Sequence, residues 1–201
     1  EGGVWLCQFL IESVKLQKRS AHTYSNADYY SLYLYGTHIL ERANQHGVRV
    51  VNNPQAIRDC NEKLFATEFS ALMPTTWVSS QHEDIRAFQQ SHGDIILKPL
   101  DGMGGSGIFR ITADGLNLGA VLETLSPDES RLVMAQEYRP EIADGDRRVL
   151  VLHGQPISHV LARIPSQGET RGNLAAGGRG VAMPISDRER EIAETVGPYL
   201  L

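Results

Sequence analysis

A lysine followed by a glycine-rich loop is the first feature of this chain that suggests chemistry. The apolar run at residues 95–97 ends in Lys98, four glycines follow between positions 102 and 107, and another apolar run begins at Ile108. Glycine has no Cβ and accepts positive φ angles, so backbone N–H groups in such a loop can approach an anion closely. A lysine at the end of a strand adds a positive charge that suits a phosphate. The pattern therefore predicts a nucleotide held by a loop between two antiparallel strands.

The two common phosphate-binding loops do not fit this stretch. The mononucleotide loop Gly-x-x-x-x-Gly-Lys-Ser/Thr places its lysine after the glycines and leads into a helix, and the dinucleotide fingerprint Gly-x-Gly-x-x-Gly also leads into a helix. Here Lys98 precedes the glycines, and residues 108–111 read as a strand. A β-hairpin with a glycine-rich turn and no ligand is the alternative that the residues alone leave open.

The spacing of apolar residues and of helix-capping residues predicts the elements that must position this loop. Asparagine before proline is typical of a helix start, and glycine is typical of a helix end. Serine followed three residues later by glutamate indicates a capping box at a helix start. The expected elements up to the glycine loop are a helix at 31–46 closed by Gly47, a strand at 48–51, a helix in up to two pieces from Asn53 and Pro54 to 71, a strand at 75–78, and a helix from Ser80 and Glu83 to Gly93.

After the glycine loop, the pattern predicts more strand than helix. The expected elements are a helix at 117–125, a buried strand at 132–137, a hairpin of 148–152 and 157–164 around His153 and Gly154, a loop at 165–179, and a final helix capped by Ser186 and Glu189. A loop of that length is typical of a functional lid or of disorder. The order indicates an α+β protein, with an α/β start followed by a mostly antiparallel sheet with helices.

Composition and charge exclude several classes of function. The 201 residues are 41% hydrophobic and 21% charged, which is the balance of a soluble globular protein. The formal net charge of −5 argues against a nucleic-acid-binding protein, and no apolar run approaches the roughly 20 residues of a membrane span. Cys7 and Cys60 alone form neither a disulfide framework nor a metal-binding spacing. We therefore expect a cytoplasmic protein with no nucleic-acid partner, no membrane partner and no metal ligands among these residues.

Three segments of the chain resemble the bacterial-type glutathione synthetases, a family of ATP-grasp ligases. They are residues 52–64, residues 96–105, and the arginine-containing stretch 161–180, which is the most specific of the three. The resemblance covers about residues 32–201. It implies an α+β protein with the ATP-grasp fold, in which antiparallel sheets with helices hold a nucleotide between two subdomains. The end of an α/β substrate domain precedes that fold in the family.

The resemblance also implies a reaction. This family joins γ-glutamylcysteine to glycine with ATP and Mg²⁺, through an acyl phosphate. The resemblance further implies that the protein is a homo-oligomer. One alternative is another ATP-grasp carboxylate–amine ligase, against which the sequence of residues 170–180 argues. A further alternative is a fragment that binds ATP without catalysis.

The family pattern assigns roles to particular residues of this chain. The expected nucleotide-binding residues are Lys63, Lys98, Gly102, Gly104, Gly105 and Ser106 at the phosphates, Gln136, Glu137, Tyr138 and Arg139 at the adenine, and Asp146 at the ribose. The expected catalytic residues are Arg148, Arg163 and Arg171, whose guanidinium groups match carboxylates and phosphates. We expect Arg147 to point to the opposite face from Arg148. Ordinary alternatives are a solvated lysine at position 63, a turn aspartate at 146, and exposed sheet arginines at 148 and 163.

The resemblance also sets expected domain boundaries. Residues 1–52 are expected to be the remnant of the N-terminal substrate domain, and residues 1–30 do not match the family. Residues 53–201 are expected to be the ATP-grasp domain without its C-terminal metal-binding part, because no Glu-x-Asn pattern follows the loop at 165–179. Ligands for Mg²⁺ are therefore expected beyond residue 201, and we expect this fragment alone to be inactive.

Overall fold

Helices and antiparallel strands alternate along the chain. The computed structural model describes residues 26–101, 105–166 and 177–200. Within those ranges the helices are α1 (Asn26–Gln45), α2 (Pro54–Asp59), α3 (His82–His92), α4 (Leu118–Leu125) and α5 (Asp187–Val196). The strands are β1 (Thr76–Ser79), β2 (Ile95–Pro99), β3 (Phe109–Ile111), β4 (Val133–Glu137), β5 (Asp146–Leu152), β6 (Gln155–Ile164) and β7 (Arg179–Pro184). Short 3₁₀ helices lie at Phe65–Leu72, Pro127–Glu129, Pro140–Asp144 and Gly197–Leu200.

The first sheet has the strand order β1-β4-β2-β3 and is antiparallel throughout. Side chains alternate between the two faces of a strand, so Ile95 and Leu97 of β2 share one face with Ala135 of β4. That face packs on α3 and α4, where Leu122 is fully buried, and together they form the larger hydrophobic core. The same alternation turns Lys98 to the opposite face, so the hairpin expected around the glycine loop has one apolar side and one polar side.

The second sheet has the order β5-β6-β7 and is also antiparallel. Val149 of β5 and Val160 of β6 pack with Ala193 of α5 in a smaller core. Direct pairing places Asp146 opposite Arg163 and Arg148 opposite a leucine. All four side chains lie on the face of the sheet that points away from this smaller core. One face of this sheet therefore packs on a helix, and the other carries Asp146, Arg148 and Arg163.

The start of α3 differs from the sequence expectation. Ser80 and Glu83 do not form a capping box, because the residue that precedes the helix is Gln81 and its side chain makes no capping hydrogen bond. Instead, Glu129 accepts a hydrogen bond of 2.7 Å from the backbone N–H of His82, across 47 residues of sequence. The expected signal was local, whereas the acceptor comes from the short 3₁₀ helix after α4. The capping prediction for this helix is wrong for that reason.

Two other helix starts follow their sequence signals. The Asn53 side chain accepts a hydrogen bond of 2.9 Å from the N–H of Gln55, and a proline occupies the first helical position of α2. Ser186 and Glu189 form both halves of a capping box at the start of α5. Both predictions are confirmed, since each depends only on residues within one turn of the chain.

One predicted strand is absent, and one strand of the structure was not predicted. Residues 48–51 do not form a strand, and Val48 and Val51 are exposed there. Conversely β7 was not expected, because its Gly180 and Pro184 are poor strand formers. β7 lies at the edge of its sheet, where a proline is tolerated. Pairing with β6 has outweighed the local preference.

Across the described part of the chain, every helix is too short or too polar to span a lipid bilayer.

Candidate functional site

Lys98 is held by a line of side chains that crosses three strands. Its Nζ donates a hydrogen bond of 2.9 Å to Oε1 of Gln136 on β4. Nε2 of Gln136 in turn donates a hydrogen bond of 2.9 Å to Oγ1 of Thr76 on β1. Gln136 is only 8% exposed, so the two bonds fix the orientation of its amide. Lys98 therefore has a defined position on the face of the first sheet opposite the larger core.

Lys63 reaches the same region from a turn between α2 and the first 3₁₀ helix. The Asn61 side chain accepts hydrogen bonds from the N–H groups of Lys63 and Leu64, which shapes this turn. The ammonium of Lys63 lies 2.6 Å from Glu62 and donates a bond of 3.2 Å to the carbonyl of Leu100, just before the glycine loop. Its side chain is only 11% exposed, so the alternative of a solvated lysine is wrong.

The electrostatics of this region favour an anion. Burial, and then the positive charge of Lys63, lower the pKa of Lys98 to about 8, while Glu62 acts in the opposite direction. The ammonium groups of Lys63 and Lys98 thus repel each other in a largely buried region. A phosphate beside both groups would be held by charge-assisted hydrogen bonds.

The C-terminal end of the glycine loop is tightly built. Gly105 is buried, and Ser106 lies in an exposed turn. Gly107 has a φ of +72°, and a Cβ at this position would lie 3.2 Å from the ring of Pro99. Glycine is favoured here because the backbone is left-handed, and because a Cβ would require the Pro99 ring to shift slightly. The predicted residues Gly102 and Gly104 lie outside the described residues.

The segment expected to contact adenine leaves β4 through residues 136–139. The N–H of Glu137 donates to the carbonyl of Thr75 and the N–H of Tyr138 donates to that of Asp94, at 2.9 and 3.0 Å. The carboxylate of Glu137 pairs with Arg139 at 3.2 Å. Gln136 connects this segment directly to Lys98, so the structure brings together the predicted phosphate and adenine residues.

The predicted ribose residue and one predicted catalytic arginine are bonded to each other. Nε of Arg163 lies 2.6 Å from Oδ1 of Asp146, and Nη2 lies 2.5 Å from Oδ2. Arg163 is buried, so the alternative of an exposed sheet arginine is wrong for it. Arg148 lies on the same face of β5 as Asp146. Asp146 begins a strand and is not a turn residue.

Arg147 points to the opposite face, as predicted, where it contacts Glu189 of α5 at 3.3 Å. Arg171 lies outside the described residues. The two ends of the loop expected at 165–179 are held side by side, because the Ser166 hydroxyl donates a bond of 2.5 Å to the carbonyl of Gly177. Strand pairing continues to Ile164 and Arg179, so β6 and β7 form the base of that loop.

Sequence reasoning did not find Glu62 and Thr76. The signal for Glu62 was its position next to Lys63, but a neighbouring glutamate is too common to be informative. No sequence signal connects Thr76 with Lys98, because they meet only through Gln136 on the strand between them. In the ranges that the structure covers, His, Cys, Asp and Glu side chains form no cluster of three or more that could hold a metal ion.

Comparison with known protein families decides the classification. Residues 62–201 match the ATP-grasp domain of prokaryotic glutathione synthetase, and residues 29–58 match the N-terminal domain of the same enzyme. The chain belongs to the prokaryotic glutathione synthetase family. Curated glutathione synthetases of Yersinia pestis and Pseudomonas aeruginosa are 58% and 57% identical over 168 residues, or 84% of this chain and 53% of each relative. The chain thus spans about half the length of the curated glutathione synthetases it matches.

Solved structures confirm the ATP-grasp fold. The ATP-grasp ligase PsnB, complexed with a minimal precursor, Mg and ADP, has a TM-score of 0.55 and 26% identity, over 82% of this chain and 48% of that one. A D-cycloserine synthetase has a TM-score of 0.64 at 14% identity, over 87% of this chain and 62% of that one. The antiparallel sheets with helices described above are therefore those of an ATP-grasp protein, as the resemblance implied.

Proposed function

We propose that the protein catalyses the ATP-dependent ligation of γ-glutamylcysteine and glycine to glutathione. The observation that carries this proposal is the meeting of Lys63 and Lys98 at the start of the glycine loop. It occurs in a chain that is 57% identical to a curated glutathione synthetase over 168 residues. The family also leads us to propose a homo-oligomeric, cytoplasmic enzyme.

The proposed reaction needs activation because a carboxylate is a poor electrophile. ATP transfers its terminal phosphoryl group to the carboxylate of γ-glutamylcysteine, which forms an acyl phosphate and ADP. The amine of glycine then attacks the acyl carbon, phosphate leaves with the electron pair of the broken bond, and the amine loses a proton. Enzymes accelerate such steps chiefly by positioning the reactants and stabilising developing charge.

The lysine cluster and the glycine loop have the chemistry to hold the phosphates of ATP. Lys63 and Lys98 supply positive charge, and the loop supplies backbone N–H groups. We assign Gly102, Gly104, Gly105 and Ser106 to the phosphates, and Gln136, Glu137, Tyr138 and Arg139 to the adenine. Mg²⁺ accompanies the nucleotide and neutralises part of its charge.

The arginines suit the other substrates. Arg148 and Arg163 lie on one face of the second sheet, and guanidinium groups bind both carboxylates and phosphoryl oxygens in a forked geometry. We assign these two residues and Arg171 to the substrate carboxylates and the transferred phosphoryl group.

The test uses the full-length protein and measures ADP formation that depends on both γ-glutamylcysteine and glycine. Lys98→Ala should weaken ATP binding by about 1–3 kcal/mol, which is the contribution of a lost charge-assisted hydrogen bond. Arg188→Ala is the matched control, because it removes a positive charge from the exposed surface of α5. It should leave ATP binding unchanged.

Three outcomes would contradict the proposal. Turnover with a different carboxylate and amine, and none with this pair, would indicate another ATP-grasp ligase. ATP binding without ADP formation would indicate a protein that binds the nucleotide without catalysis. Unchanged ATP affinity in Lys98→Ala would remove Lys98 from the site.

A further inference from the structure

A line of hydrogen bonds runs from the edge of the first sheet to Lys98. The hydroxyl of Thr76, at the start of the edge strand β1, donates a hydrogen bond of 2.8 Å to the carbonyl of Pro74. Nε2 of Gln136 donates one of 2.9 Å to Oγ1 of Thr76, and Nζ of Lys98 donates one of 2.9 Å to Oε1 of Gln136. The line therefore ends at an ammonium group that we assign to the phosphates of ATP.

The register of the sheet produces this line. Thr76 lies directly opposite Gln136, and Gln136 lies directly opposite Ile96, two residues before Lys98 on β2. Residues two apart on a strand share a face, so Lys98 is a diagonal neighbour of Gln136 and within reach of its side chain. Both Gln136 and Pro74 are buried. An unpaired polar group in such a place would be costly, so the line is held together.

Each hydrogen bond in the line has one possible direction. A carbonyl oxygen only accepts, so the single hydrogen of the Thr76 hydroxyl goes to Pro74. The hydroxyl oxygen is left to accept, and only the NH₂ end of the Gln136 amide can donate to it. The amide oxygen is left to face Lys98. The carbonyl at the edge of the sheet thus determines which end of the amide Lys98 meets.

The orientation of this amide matters for the charge on Lys98. An amide oxygen accepts a hydrogen bond from an ammonium group and stabilises its positive charge, whereas an NH₂ group turned toward it would disfavour that charge. Burial and the charge of Lys63 already lower the pKa of Lys98, with Glu62 acting in the opposite direction. A reversed Gln136 amide would lower this pKa further.

We propose that Thr76 is a positioning residue for nucleotide binding, whose hydroxyl fixes the orientation of the Gln136 amide and thereby keeps Lys98 protonated and in place for a phosphate of ATP. This rests on the proposed function in one respect, which is that Lys98 contacts ATP. It extends the nucleotide site to a strand at the edge of the sheet.

The test compares two substitutions of Thr76 in the full-length protein. Thr76→Val replaces the hydroxyl with a methyl group and keeps the branched shape, whereas Thr76→Ser keeps the hydroxyl. The titration of Lys98 is followed by NMR on protein with isotope-labelled lysine and no nucleotide, with Lys98→Arg to assign the resonance. Thr76→Val should titrate at lower pH than wild type, because its Gln136 amide is able to turn. Thr76→Ser should titrate as wild type does.

The affinity for ATP at neutral pH is the second measurement. Thr76→Val should weaken ATP binding about three- to tenfold, which is the effect of about one net hydrogen bond, and Thr76→Ser should stay within about twofold of wild type. Thr124→Val is the matched control, because it makes the same change on α4, where the exposed hydroxyl donates to the carbonyl of Ala120. It should leave both measurements at their wild-type values.

Two results would overturn the positioning role. One is an unchanged Lys98 titration in Thr76→Val, even with weaker ATP binding, because a loss of packing alone would not move that titration. The other is an equal shift in Thr76→Ser and Thr76→Val, because the hydroxyl would then not be responsible. If Thr76→Val does not fold, Thr76→Ala replaces it with the same expectations, since alanine and serine differ only by the hydroxyl.

The proposed function and this inference can fail separately. A wild-type protein without ADP formation from γ-glutamylcysteine and glycine refutes the proposed function, and the Lys98 titration without nucleotide still decides the role of Thr76. An active wild type whose Thr76→Val variant keeps the wild-type titration refutes only the positioning role.

Discussion

Raising the pH should weaken ATP binding through Lys98, and the size of the effect follows from the surroundings of this lysine. Burial and the neighbouring Lys63 lower its pKa from 10.5 to about 8, with Glu62 acting in the opposite direction. At pH 7 the ammonium is almost fully protonated and can pair with a phosphate. At pH 9 most of it is neutral and this attraction is lost.

The magnitude comes from the protonated fraction. With a pKa of about 8, roughly nine in ten Lys98 side chains are charged at pH 7 and one in eleven at pH 9. If only the charged form binds, the dissociation constant for ATP should rise about tenfold between these values, or about 1.4 kcal/mol. Binding in this range should also take up a proton, because the phosphates favour the charged form.

The assay is calorimetric titration of the full-length protein with ATP and Mg²⁺ between pH 7 and 9, in buffers of different ionisation enthalpy. Lys98→Arg is the matched control, since arginine keeps its charge throughout and should remove most of the pH dependence. Glu62→Gln should move the midpoint to lower pH, because it removes the carboxylate that raises the pKa of Lys98. A wild-type affinity that is equal at pH 7 and pH 9 would show that the Lys98 ammonium does not contribute to ATP binding.

The same pKa has a consequence for stability. The folded protein holds the Lys98 proton less tightly than the unfolded chain, whose lysine has the ordinary pKa of 10.5. Between about pH 8 and 10.5 the unfolded state therefore binds more protons, and the contribution of Lys98 to the free energy of unfolding should rise with pH. The difference in pKa corresponds to about 3 kcal/mol, which is the net effect of burial, of repulsion by Lys63 and of attraction by Glu62 on the charged form.

Four substitutions test the stability of the fold by urea denaturation. Gly145→Ala should lower the free energy of unfolding by about 2 kcal/mol or more, because its Cβ would meet the carbonyl of Arg163 at 2.5 Å and φ is +96°. Gly36→Ala, in a helix with open space around it, should instead stabilise by about 0.5–1 kcal/mol. Glu189→Ala should cost about 1–3 kcal/mol, because removing this fully buried carboxylate leaves the N–H of Ser186 at the start of α5 without its acceptor and Arg147 without its partner. Leu122→Ala, at a fully buried position, should cost about 2–5 kcal/mol, and a loss below 1 kcal/mol would contradict the assigned core.

Local signals in the sequence were enough for several elements of the fold. The glycine-loop hairpin, the buried strand β4 and the capping box of α5 each depend on residues close together in the chain. Apolar periodicity and short-range hydrogen bonds determine such elements before any distant contact forms. The same locality explains the failures. The start of α3 is capped by Glu129 from 47 residues away, and β7 depends on pairing with β6.

The residue types of the candidate site can be read from the sequence, whereas their combination depends on the folded chain. Lys98 and the glycines were recognisable from their order alone. That Lys63 reaches the carbonyl of Leu100 across 37 residues, and that Asp146 bonds to Arg163, followed only from the packing of distant turns and from strand register. A shift of one residue in that register would turn Arg163 to the other face of the sheet. Residue identity limits the chemistry that is possible, but contacts between residues far apart in sequence exist only once the sheets have formed.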